Sequence, residues 1–286
     1  MTDHLARRMW TVTEPYHAVV YFAPEMRVAY DRAGLKGGWM GYFAGRGAAM
    51  GAVSPSVIVA SFYSFHPKMV RRAIPDAWSF ASPEKVLEAR LSGVDAALKR
   101  MLSDAVDGEP LREAAALARR ASGTCTSGGR PLYAAHADLP WPEAPHLELW
   151  QACTLLREFR GDGHVSSLLA SGLDGCEAHV AMSAGGEVPR ALLAPFRGWS
   201  DEDWDAAAAR LEGRGWLDDQ GSLTKEGATE RALLERRTDE LASAPWNHLG
   251  EDGCDHLHAL MLDILEPIAA AQGLPYPNPI GVPPPT

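Results

Sequence analysis

Apolar and polar positions along most of this chain recur with a period near 3.6, the pattern of helices that bury one face. After Ser82-Pro83-Glu84, a capping serine followed by a first-turn proline, Val86, Leu87, Leu91, Val94 and Leu98 predict a helix to about Met101. Residues 10 to 35 read as helix, with Thr13 or Glu14 able to start it and Pro15 suited to a first turn. A further run from Glu25 stops at Gly34, and Ser54-Pro55 and Pro67 open two apolar segments. LREAAALARRA (111–121) predicts another helix, and a next one runs from about His146 to Phe159. Ser200 caps a helix whose first turn is acidic and whose buried face is Trp204, Ala207, Ala208 and Leu211. Trp216-Leu217 and Ser222-Leu223-Thr224, joined by Asp218-Asp219-Gln220-Gly221, predict a two-stranded hairpin. Helices from Lys225 to about Ala242 and from about Asp255 to Ala271 precede a proline-rich end.

Breaks in the pattern divide the chain. SGTCTSGGRP (122–131) is the best linker, and the stretch after it mixes proline with tryptophan, as an ordered strap does. The parts are then an N-terminal helical half (1–105), a helix with its connecting strap (106–145), a second half (146–245), and a last helix with its tail (246–286). YFAPEMRVAYDRAGLKGGWMGYFAGRGAAMG (21–51) and EFRGDGHVSSLLASGLDGCEAHVAMSAGG (158–186) share an aromatic, a helix, a Gly-Leu-x-Gly turn and a glycine-terminated helix. As an internal repeat they imply a pseudo-dimer with a site between its halves. The second copy departs from the first at RGDGH, in place of APEM.

The net charge of −10 opposes partners that need their phosphates neutralised. Four cysteines at wide spacing without a CxxC point to reduced thiols, neither a disulfide framework nor a zinc knuckle. The N-terminus lacks a signal-peptide core and no run reaches the ~18 apolar residues of a membrane span. The expected location is the cytoplasm, without a membrane partner.

Residues 174–228 resemble the winged helix-turn-helix of MarR-type regulators, with Ser200 to Leu217 matching the recognition helix and Gly221-Ser222-Leu223-Thr224-Lys225-Glu226-Gly227 the wing exit. The whole chain resembles an actinobacterial family of helix-turn-helix proteins sharing EPxHAVxYFAPE, FAxR, LPWP and LREHRGDGHV. The matches are Glu14 to Glu25, Phe43 to Arg46, Leu139 to Pro142 and Leu156 to Val165, with Phe159 at the family's usual His. This resemblance implies a mainly α fold of tandem winged-helix-like halves, the second carrying a short β-hairpin wing. DNA binding would follow only from a basic recognition surface. Here the helix carries Asp201, Glu202, Asp203, Asp205 and Glu212 against Arg210 and Arg214, with Asp218 and Asp219 at the wing tip.

Candidate chemistry gathers in RGDGH. Arg160, Asp162 and His164 lie close together, with Gly161 and Gly163 letting the backbone bend, and a carboxylate beside an imidazole suits general acid–base work. The alternative is that Asp162 caps a helix starting near His164 and pairs with Arg160. Glu177 and His179 on the next helix, His17, Arg46 and His66 from the first half, and Trp39 and Trp150 are candidate ligand-binding residues. No His/carboxylate pair at ligating spacing supports a metal site, and nothing selects a cofactor. Cys254 and His258 at i, i+4 read as the exposed start of the last helix.

The resulting expectation is a small-molecule-binding protein, with His164, Asp162 and Arg160 as its reactive or recognition centre, on a winged-helix scaffold that has lost DNA binding. The alternative is a MarR-like DNA-binding regulator responding to a small ligand, its basic surface assembled by homodimerisation. A third class is an interaction protein whose acidic surface meets a basic partner.

Overall fold

A computed structural model describes residues 4–285, and within them the chain folds into helices joined by short turns. In chain order these are α1 (Leu5–Phe22), α2 (Pro24–Ala33), α3 (Gly37–Gly47), α4 (Pro55–Phe62), α5 (Pro67–Arg71), α6 (Asp76–Phe80), α7 (Pro83–Leu102) and α8 (Glu109–Ser122). After them come α9 (Pro131–Ala137), α10 (Pro145–Ala170), α11 (Gly175–Ala184), α12 (Arg190–Leu193), α13 (Asp201–Gly213), α14 (Lys225–Leu241), α15 (Ala244–Leu249) and α16 (Glu251–Ala270). Proline opens α2, α4, α5, α7, α9 and α10, where its fixed φ suits the first turn and its missing N–H leaves no partner unserved.

Two helices differ from the sequence reading. α1 begins at Leu5, capped by His4, whose Nδ1 accepts from the Ala6 N–H at 3.3 Å, so Pro15 lies in its interior and not in a first turn. The apolar stripe of Met9, Val12, Tyr16 and Val19 runs through Pro15 and keeps the helix whole. α10 does not stop near Phe159 but runs unbroken through RGDGH to Ala170. Asp162 therefore caps no helix starting at His164, and its glycines do not bend the backbone. They allow close approach on two sides: Gly163 admits Arg130, whose Nη1 would lie 2.9 Å from an added Cβ, while Gly161 faces a cavity.

The main core joins α1, α2, α3, α7, α8, α10 and α16 around Tyr16, Phe43, Leu98, Leu111, Leu149 and Met261. A second core gathers α11, α13 and α14 around Leu173, Trp204, Leu211 and Leu234. α10 contributes Leu156 to the first and Leu168 to the second, so it is the beam on which both rest. The expected linker is held as well: Arg130 donates to the Phe159 and Leu241 carbonyls and lies 3.7 Å above the Phe159 ring. Cys254 is fully buried, against its expected exposure at a helix start, because α16 begins four residues earlier than its apolar face suggested. The proline-rich tail packs Leu274 and Val282 on Ala18 and is pinned by Asn278, which bonds the Ile280 and Val282 N–H groups and the Val282 carbonyl.

The two Gly-Leu-x-Gly turns have the same geometry. Gly34 and Gly172 take positive φ, and Leu35 and Leu173, both buried, donate five residues back to Tyr30 and Leu168 at 3.0 and 3.1 Å. The expected β-hairpin wing is absent: among the described residues no strand forms, only one antiparallel bridge between Leu217 and Leu223. The Asp218 carboxylate captures the Gln220 and Ser222 N–H groups, curling the segment into a tight loop, and Thr224 at once caps α14.

The halves touch where α11 begins: a Cβ on Gly175 would lie 2.4 Å from the Tyr63 carbonyl oxygen. Gly175→Ala is expected to lower unfolding free energy by about 1–3 kcal/mol, since backbone must move to admit the methyl. Gly213→Ala, where a Cβ meets nothing within 4 Å, serves as the control in the same urea titration and is expected to show no loss.

Candidate ligand-binding site

Three segments far apart in sequence, on α1, α3 and α10, meet in one buried ion chain. The Glu158 carboxylate on α10, fully buried, accepts two parallel hydrogen bonds of 2.9 Å from Arg46 Nε and Nη2 on α3. Arg157 donates to the same carboxylate at 2.8 Å and reaches Glu14 on α1 at 3.5 Å. Burial works against the Glu158 charge, but Arg157 and Arg46 outweigh it and hold its pKa well below the usual range. Glu14 goes the other way, raised by burial that Arg157 only partly offsets. Beside the chain, His17 Nδ1 bonds Thr154 at 3.0 Å and its Nε2 bonds the Tyr21 hydroxyl at 2.9 Å. Thr154 already donates to the Trp150 carbonyl, so His17 is the donor at Nδ1 and the acceptor at Nε2. Trp150 stacks parallel to it at 6.1 Å.

A cavity of about 200 Å³ opens next to this chain. Tyr42, Arg46 and Phe62 from the first half face Gly161, His164 and His179 from the second across it, and Pro279 and Ile280 of the tail complete the wall. Four arginines line it, Arg46, Arg157, Arg197 and Arg231, and no carboxylate does. Arg231 is paired with Glu187 and Glu235, and Arg46 and Arg157 share Glu158, with Glu14 also near Arg157. Arg197 differs. It is 8% exposed, donates only to the Phe196 and Pro279 carbonyls, and its Nε has no partner. Burial pulls its pKa down, as expected of a cation without an anion.

The two histidines of the wall are uncharged near neutrality. Burial lowers His164 to about 4 and His179 to about 3. Thr238 donates to Leu234, so His164 donates through Nδ1 to Thr238 at 3.0 Å and offers Nε2 as an acceptor. His179 donates through Nε2 to the Ser64 carbonyl at 3.0 Å and stacks near Trp204.

Of the residues singled out in the sequence, Arg46, His164 and His179 thus meet in the cavity, with His17 and Trp150 behind its ion chain. The RGDGH triad does not converge. On a continuous helix Asp162 faces away from His164, and its carboxylate accepts from the Tyr133 N–H at 3.0 Å at the start of α9. Burial raises it to about 6. Arg160 pairs with Asp239 at 2.7 Å and lies over Trp10. Glu177 closes the capping box of α11 and binds Arg210. His66 caps α5 and sits edge-on to Trp199, and Trp39, itself exposed, lies against Tyr42, Phe196 and the buried Phe43 and Phe65. Arg157, Glu158 and Arg197 were missed. The first two carried a signal, since adjacent charges inside the apolar run from Leu149 to Phe159 must turn at least one of them inward. No group of three or more His, Cys, Asp or Glu among the described residues could hold a metal.

The segment matching a recognition helix keeps its acidic face. Asp201 and Asp205 are largely exposed, while Arg210 binds Glu177 and Asp174 and Arg214 bonds the Ser171 and Gly172 carbonyls. A model of a helix-turn-helix family matches residues 6–275. The chain belongs to that helix-turn-helix family. Neither curated proteins nor solved structures give a significant match. α11 and α13 pack against each other in the second core, and the exposed positions of α13 include Asp201 and Asp205. Among the described residues, no single helix is long and apolar enough to cross a membrane.

Two predictions follow from this chemistry. Glu158→Gln strands Arg46 and Arg157 in the interior and is expected to lower stability by about 3–5 kcal/mol in urea unfolding. Buried His136 and His179, at about 4 and 3, bind protons more weakly folded than unfolded. Their contribution is present above pH ~6.5 and lost as pH falls toward 4, about 2 kcal/mol each at pH 5. Asp162, raised to about 6, opposes this below that pH, because there the folded chain is the tighter proton binder. Unfolding free energy should therefore fall from pH 7 to pH 5, and His179→Gln should reduce that fall by about 2 kcal/mol.

Proposed function

We propose that this chain binds a small organic anion between its two halves, on a helix-turn-helix scaffold that does not contact DNA. The observation that carries the reading is Arg197, a buried guanidinium without a carboxylate partner on the wall of a cavity. A buried charge is tolerated when it is paired, and a bound anion supplies the pair. At about 200 Å³ the cavity lies below the ~300–1,000 Å³ typical of drug-sized ligands, which favours a compact acid over a nucleotide. His164 offers an acceptor at Nε2 and serves recognition; with Asp162 turned away, acid–base catalysis by the pair has no support. The tandem, pseudo-dimeric reading is kept for the two halves, on the strength of their matching Gly-Leu turns. The four unpaired cysteines suit a cytoplasmic setting.

A second reading, a MarR-like regulator responding to the same ligand, is favoured by the family membership alone. It needs cations on α13, and those present are tied to Asp174, Glu177 and backbone carbonyls.

Native mass spectrometry of protein purified from its own host is expected to show a retained small molecule that Arg197→Met loses. Salt-dependent retention of duplex DNA at near-physiological ionic strength, with no retained molecule, would overturn the reading in favour of the regulator. Gly161 provides an independent check, because its Cβ would make only ordinary contacts at 3.6 and 3.8 Å. Gly161→Ala should raise stability by about 0.5–1 kcal/mol, while Gly161→Leu should fill the cavity and release the ligand.

A further inference from the structure

Outside the cavity between the halves, a second buried cation lacks a carboxylate. Arg90 on α7 is 3% exposed. Its Nη1 lies 2.9 Å from His136 Nε2, its guanidinium carbon 4.7 Å from the Trp150 ring centroid, and its Nη2 has no partner. His136 supplies no negative charge. Its Nδ1 donates to the Leu132 carbonyl at 2.8 Å, leaving Nε2 as a neutral acceptor for Arg90. Trp150 offers a π face, which attracts a cation but leaves the open N–H unserved.

Arg90 lines a cavity of about 210 Å³ where the chain breaks between α1 and α2. Tyr21, Tyr30 and Tyr42 surround it, and Gly38 stands at its rim. Tyr30 holds its place only because Gly41 and Gly45 lack side chains, for a Cβ there would come within 2.7 and 2.0 Å of its ring and hydroxyl. The other cations of this wall are already matched, Arg27 by Asp31 at 2.7 Å and Arg46 by Glu158. One uncompensated positive charge therefore faces the space.

We propose that this cavity is a second anion site, which takes the carboxylate of a small organic acid on Arg90, in the N-terminal half and separate from the Arg197 site. A single unmatched guanidinium suits a monoanion; a phosphate dianion would leave one charge buried without a partner. The volume again limits the body of the acid to a compact one. The site does not depend on what the Arg197 cavity holds, although Tyr42 and Arg46 line both.

The test is titration calorimetry of the full chain carrying Arg197→Met, which removes the anchor of the first cavity, with two matched pairs of probes: benzoate against benzamide and butyrate against butyramide. At least one carboxylate is expected to bind while its amide does not. Adding Arg90→Met should weaken that binding about tenfold to hundredfold, the loss of a charge-assisted hydrogen bond. Because Arg90→Met also removes core contacts, Gly38→Leu gives a second route: its Cβ meets nothing within 4 Å, so it narrows the mouth without disturbing the core and should weaken binding as well. Equal binding of acid and amide, undiminished binding in Arg90→Met or Gly38→Leu, or no binding of either carboxylate would each overturn the second site. None of these outcomes bears on a molecule retained by the unaltered chain through Arg197.

Discussion

The Arg46–Glu158 fork, with Arg157 and Glu14 attached, is the interaction on which the rest of the molecule depends. Ions are expensive to bury, and a buried pair holds only when its geometry is good and its remaining valences are served. Here the fork is bidentate and Arg157 takes one of the same oxygens. The helices cannot slide past one another without breaking it, so α1, α3 and α10 keep one register. That register fixes the wall of each cavity, since Arg46 stands in both.

Most helices were legible because their signals are local. Ser82 with Pro83, Ser200 with its acidic turn, and Gly34 as a stop all act within one turn of backbone. RGDGH misled for the same reason. Two glycines in three residues read as a break, but a helical glycine forfeits only about 1 kcal/mol each, and the packing of α10 against α8, α14 and α1 exceeds that. The hairpin was a near miss of another kind: the Asp218 and Thr224 N–H groups do reach across to the Ser222 and Trp216 carbonyls, but the Asp218 carboxylate takes the Ser222 N–H and Thr224 caps α14, so pairing ends at one bridge.

The site was legible in part. Arg46, His164 and His179 were among the candidates and all three reach the cavity, although His164 was singled out for a convergence with Asp162 and Arg160 that the continuous α10 does not allow. Arg197 had no such signal, for it follows a short 3-10 turn and its environment is assembled from Phe65 and the tail residue Pro279, which lie far from it in sequence. Arg90 lies one turn from both Val86 and Val94 on the buried face of α7, where Trp150 and His136 cover it, a position that drew no attention in the sequence.

The spacing of the ion chain along the polypeptide also orders its assembly. Arg46 and Glu14 leave the ribosome more than a hundred residues ahead of Glu158 and Arg157, as the sequence separations of 112 and 143 require. Until α10 emerges, the N-terminal half holds a cation without its anion and a core missing one wall. The chain before and after the start of α10 is therefore one cooperative unit in energy, and a fragment ending before α10 should behave as an unfinished intermediate and not as a module.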